Sequence, residues 1–71
     1  MIRISTKDDL LIVRAEEKDF APRHHSQLAF WGFQYDSINK YFFSKPGEQE
    51  SLSLKLTSYL EKCGIDYEVE D

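Results

Sequence analysis

Residues 28–44 read Leu-Ala-Phe-Trp-Gly-Phe-Gln-Tyr-Asp-Ser-Ile-Asn-Lys-Tyr-Phe-Phe-Ser, and the rest of the chain has to be arranged around them. Leu28 and Trp31 stand three apart, on one face of a helix. Gly32 follows at the point where that helix should stop, since glycine takes positive φ at little cost. Residues 33–36 and 40–44 are rich in β-formers and flank Ser37-Ile38-Asn39, which predicts a short hairpin with a turn-forming Asn near its end. Phe30, Trp31, Phe33, Tyr35, Tyr41, Phe42 and Phe43 then compete for one small core, and some are expected to stay outside it. A chain of 71 residues is a single domain. It buries only roughly 60% of its unfolded surface, so large aromatic side chains have to carry much of its stability.

On the N-terminal side, Ile2 and Ile4 alternate with Arg3 and Ser5, the period of a half-buried strand. Lys7-Asp8-Asp9 reads as a turn and residues 10–15 as a second apolar run, so residues 2–15 form a predicted hairpin. The polar Glu16-Glu17-Lys18-Asp19 leads into a first helix. Asp19 serves as its N-cap and Pro22 lies in its first turn, where a missing N–H costs nothing. Phe20 or Ala21, His24, Leu28 and Trp31 recur along it at helical spacing.

On the C-terminal side, Lys45-Pro46-Gly47 breaks the strand. Leu52, Leu56, Tyr59, Leu60 and Cys63 then fall on one apolar stripe of a helix of about four turns. Glu48 and Glu50 suit its positive end and Lys62 its negative end. Gly64 is the expected stop, with Ile65 packing back over the last turn. Ile65, Tyr67 and Val69 alternate with Asp66, Glu68 and Glu70, a final short strand with one acidic face. The order is ββαββαβ without repeat or linker. Two amphipathic helices need a shared apolar surface, so the predicted class is α+β: a small antiparallel sheet with both helices packed on one face. Trp31, Phe33, Tyr35, Phe42, Leu52, Leu56 and Leu60 are expected in one core.

Constellations for chemistry are missing from the sequence. His24 and His25 are adjacent, so a helix points them about 100° apart, and no Cys or carboxylate stands at a ligand spacing beside them. Both are read as surface or partly packed. Cys63 falls on the apolar stripe and reads as an inert core thiol. There is no phosphate-cradling glycine loop, no nucleophile elbow and no pair of carboxylates in an apolar setting. The expectation is a non-catalytic domain with no cofactor and no metal. One cysteine, no leader and a longest apolar run of residues 10–13 point to a reducing, cytoplasmic setting without a membrane partner.

The net charge of −4 is unevenly spread. Residues 18–45 carry four basic and two acidic side chains, whereas residues 46–71 carry two basic and seven acidic ones. Phosphate neutralisation dominates affinity for DNA, so an acidic chain could bind DNA only through a local basic face. The hairpin supplies a candidate: if helices cover Phe33, Tyr35 and Phe42, then Tyr41 and Phe43 point the other way, near Lys40 and Lys45. Aromatics beside cations suit stacking on nucleic acid or contact with a protein.

Leu28, the run Gly32-Phe33-Gln34-Tyr35-Asp36, and Lys40-Tyr41-Phe42 precede a helix carrying Leu56, Tyr59 and Leu60, then Gly64-Ile65. Over residues 10–65 this pattern resembles the HARP-like or UvsW-like N-terminal substrate-recognition domain of superfamily 2 DNA helicases and Swi/Snf-type translocases. Phe42 stands where that family often has Trp. The resemblance implies a module that recognises duplex or branched DNA and works beside a helicase motor domain in the same polypeptide; with so acidic a chain, binding in isolation is expected to be weak. Its DNA-binding residues would be Arg23, His25, Lys40, Tyr41 and Lys45, the cations on phosphates and Tyr41 against sugar or base. The rival expectation is a small acidic protein-interaction module, such as a phage accessory or inhibitor protein. Its interface would be residues 66–71 and the exposed aromatics.

Overall fold

Two hairpins and two helix crossovers generate the architecture, which the computed structural model describes for residues 1–15 and 22–70. Strands β1 (Ile2–Lys7) and β2 (Leu10–Arg14) pair antiparallel in the register Ile4↔Val13 and Lys7↔Leu10. Asp8 and Asp9 between them both have positive φ, 52° and 64°. That is the twist a two-residue hairpin turn demands, and short Asp side chains tolerate it. Helix α1 (Pro22–Phe30) opens on its proline, whose fixed φ suits a first turn. The expected N-cap Asp19, and Phe20 or Ala21 on the helical face, lie outside the described residues.

Helix α1 ends on Gly32 (φ 99°), where the Phe33 N–H donates to the Leu28 carbonyl (3.0 Å) and the Gly32 N–H to the Ala29 carbonyl (3.0 Å). This double bond around a left-handed residue satisfies two orphan carbonyls and turns Phe33 back onto Leu28. Helix α2 (Gln49–Cys63) ends the same way on Gly64. There the Ile65 N–H reaches the Leu60 carbonyl (2.9 Å), and Ile65 packs against the core.

Strands β3 (Gln34–Asp36) and β4 (Tyr41–Phe43) form the second hairpin, and β5 (Tyr67–Val69) closes the sheet in the order β3-β4-β2-β1-β5. The pairings are antiparallel except the last, because β1 and β5 run parallel. The sheet is thus mostly antiparallel, as expected, with one parallel pair at its edge. β4 runs antiparallel to β2 and therefore in the direction of β1, and α2 carries the chain back before β5 repeats that direction. A helical crossover between β4 and β5 dictates a parallel final strand.

The α+β class and the ββαββαβ order are those read from the sequence. One core joins Ile2, Ile4, Leu11, Val13 and Phe42 of the sheet with Leu28 of α1, Phe33, and Leu52, Leu56 and Leu60 of α2. Ser44, fully buried, extends the ladder past β4: its Oγ accepts from the Leu11 N–H (2.9 Å) and its own N–H donates to the Leu11 carbonyl (3.0 Å).

Three core expectations need correction. Tyr35 does pair with Phe42, yet it is 49% exposed, because β3 is the edge strand and His25, its stacking neighbour, leaves the ring half open. Trp31 is only partly buried, edge-on to Tyr59 at 5.4 Å between ring centroids. Cys63 is exposed. Its helical angle is that of Leu52 and Leu56, but it is the last helical residue, and the chain folds back at Gly64 so that Ile65 takes the core position instead.

Candidate nucleic-acid interface

Strand alternation divides the sheet into two faces. Both helices pack on the face that carries Ile2, Ile4, Leu11, Val13 and Phe42. On the opposite face, register lines up one row across all five strands: Glu68, Arg3, Arg14, Tyr41 and Asp36. The adjacent row on this face is Ser5, Ile12, Phe43 and Gln34. Carboxylates stand at the two edges, and two arginines and a phenol ring stand between them.

The Arg14 guanidinium lies over the Tyr41 ring, 5.2 Å from its centroid, a cation held against the electron-rich face of an aromatic. Phe43, two residues along, meets Tyr41 edge-on at 6.4 Å, and both rings are half-buried. Ile12, the cross-strand partner of Phe43 on this same face, is 4% exposed. Arg3 and Arg14 are direct cross-strand partners; like charges in that position repel. Of the edge carboxylates, Asp36 is already engaged. It accepts from the Ile38 N–H (2.9 Å), the Asn39 N–H (3.1 Å) and the Asn39 side-chain amide (2.9 Å). Those bonds, the Asn39 side chain foremost, hold its pKa below the usual carboxylate value.

The loop logic explains where the flanking cations go. Asp36, rather than Asn39, organises the hairpin, and its carbonyl accepts from the Lys40 N–H (2.8 Å). Lys40 takes the left-handed position (φ 62°) and is exposed at the start of β4, and Lys45 is exposed beyond its end. Lys40, Tyr41 and Lys45 thus flank one strand. Arg23 and His25 do not join them. Both sit on α1, and His25 packs edge-on to Phe42 at 5.0 Å and over Tyr35, on the helix side of the sheet. Arg3 and Arg14 were not among the residues singled out from sequence. Arg3 alternates with Ile2 and Ile4, which says which face it takes, but Arg14 follows the continuous apolar run 10–13, and neither segment says that the two stand side by side.

A second polar cluster lies between the helices. His24 is buried, 4% exposed, and its Nδ1 is hydrogen-bonded to the Tyr59 hydroxyl. Burial, then the nearby Arg23 and His25 charges, lower the His24 pKa. Burial and the neighbouring Cys63 thiol raise that of Tyr59. The cluster ties α1 to α2.

Among the described residues, no group of three or more His, Cys, Asp or Glu side chains is placed to hold a metal ion, and no helix is long and apolar enough to cross a membrane. Comparison with known proteins gives no matching family model, curated protein or solved structure.

Proposed function

We propose that this domain is a non-catalytic DNA-recognition module of the kind that serves a helicase or translocase motor, acting in the cytoplasm. The observation that carries the reading is the Arg14–Tyr41 pair on the sheet face opposite both helices, flanked by Arg3, Lys40 and Lys45. Cations beside an aromatic ring provide both a phosphate contact and an apolar contact for sugar or base. The acidic strand β5 pairs with β1 and lies three strand positions from β4, about 14 Å at ordinary strand spacing. The Glu68 carboxylate is therefore kept off the Tyr41 hairpin, although the chain as a whole is acidic.

Few phosphates can be neutralised by so small a cationic set, so binding by the isolated domain is weak and best measured at low salt. The test is a titration of labelled duplex and forked DNA. Lys40→Glu combined with Lys45→Glu should abolish binding, and Lys55→Glu on α2 should leave most of it. Absence of binding by the parent chain, or equal losses in both variants, would favour the protein-interaction reading instead.

A further inference from the structure

Resting on the DNA reading above, we infer that the open face takes an unpaired DNA strand, with a phosphate on the Arg3–Arg14 pair and bases against Tyr41 and Phe43.

Dimensions argue first. Five strands at ordinary spacing put β3 and β5 about 19 Å apart, wider than the major groove of about 12 Å that admits a helix or a two-stranded ribbon. The aromatic pair is on β4, inside the sheet rather than at its rim, so a duplex groove could reach it only by swallowing the flanking strands. An unpaired strand lies across such a surface without that conflict.

Chemistry argues second. The faces of paired bases are stacked on one another inside a duplex, so the half-buried rings of Tyr41 and Phe43 have something to stack on only when bases are splayed out. The Arg14 guanidinium over the Tyr41 ring keeps a cation for phosphate next to that aromatic surface. Charge argues third. Arg3 and Arg14 stand opposite one another, about 5 Å between their Cα atoms by strand geometry, and one phosphate bridging them would relieve their repulsion. Glu68 and Asp36 close the same row at both edges. Glu68 is the direct neighbour of Arg3 and Asp36 of Tyr41, so a ligand that crosses the whole row lies over both carboxylates, whereas one centred on Arg14 lies between them.

The experiment uses the 71-residue chain and three fluorescein-labelled probes of equal length: oligothymidylate, the same backbone without bases, and a duplex. In about 20 mM salt, oligothymidylate should bind at least about tenfold more tightly than either of the others, the margin expected from one or two stacked bases. This comparison needs no variant. Tyr41→Leu with Phe43→Leu, which keeps apolar bulk and removes the rings, should lose about tenfold on oligothymidylate and nothing on the abasic strand. Arg3→Ala with Arg14→Ala should weaken both single strands alike. Circular dichroism on each variant checks that it folds. Duplex bound as tightly as oligothymidylate, or indifference to loss of both rings in folded protein, overturns the inference and leaves DNA recognition standing. Failure of all three probes to bind overturns both.

Discussion

Two neighbouring rows of the sheet, one residue out of step, have opposite characters. Val69, Ile4, Val13, Phe42 and Tyr35 cross the strands on the helix-covered face, and Glu68, Arg3, Arg14, Tyr41 and Asp36 cross them on the other. Each row changes from centre to edge. On the covered face the middle three residues are almost fully buried, while Val69 and Tyr35 at the ends are 58% and 49% exposed. On the open face the centre is cationic and aromatic, and the ends are acidic. Two helices suffice to cover the middle of this sheet but not its margins. What separates the faces is a single step of the pleat, so the same strands supply core and surface by alternation alone.

The covered face should respond to mutation through stability and the open face through binding. The largest effect is expected at Leu56, fully buried in α2. Leu56→Ala should cost about 2–5 kcal/mol, measured by urea denaturation, a large share of what so small a domain has. A cost below about 1 kcal/mol would mean the helix layer is not what holds the sheet. Ser44→Ala comes next, because it leaves the buried Leu11 N–H without its side-chain acceptor. About 1–3 kcal/mol is expected, and a neutral result would say that water replaces the hydroxyl.

His24 offers a third contrast, tied to pH. Its folded pKa is lowered below the ordinary 6.5 by burial and by Arg23 and His25, so the unfolded chain binds the proton more readily. The contribution is therefore fully present above pH 6.5 and lost as pH falls through the depressed folded value. A neutral ring can accept the Tyr59 proton at Nδ1, and a charged ring can only donate. The urea midpoint should drop between pH 7.5 and 5.5, and less steeply in His24→Leu; equal slopes would remove His24 from that dependence. Smallest of all, Arg14→Ala should shift stability by no more than about 1 kcal/mol, since it gives up one exposed cation–aromatic contact and one repulsion with Arg3. A larger loss would make Arg14 part of the scaffold and blur the distinction between the faces.

Local chemistry carried most of the fold. Gly32 and Gly64 mark the ends of both helices, the leucines of α2 declare their stripe, and the alternation around Ile2–Ile4 assigns faces. The failures share a cause. Cys63 has the right helical angle but no layer beneath it, Tyr35 the right face but an edge strand, and β5 the right pattern but a direction set by a crossover. Each depends on what lies alongside, which spacing along one segment cannot express. The same holds for the candidate site. Tyr41, Lys40 and Lys45 were legible because they are neighbours in the chain. The Arg3–Arg14 pair needed the register of β1 on β2, and Arg23 and His25 turned out to belong to the other side of the sheet.

The parallel pairing of β1 with β5 also bears on how the molecule is made. Strands β1 and β5 are hydrogen-bonded neighbours, with Tyr67 beside Ile2 and the Glu70 N–H donating to the Ile4 carbonyl (2.6 Å). Contacts so far apart in sequence carry the largest loop-closure penalty and form only after the intervening chain is in place. On a ribosome, β1 can find β2 early but must wait for β5 before its outer edge is covered. Until then that edge is an open template for any passing strand. The Glu70 amide, by its hydrogen exchange, is the natural reporter on when the gap closes.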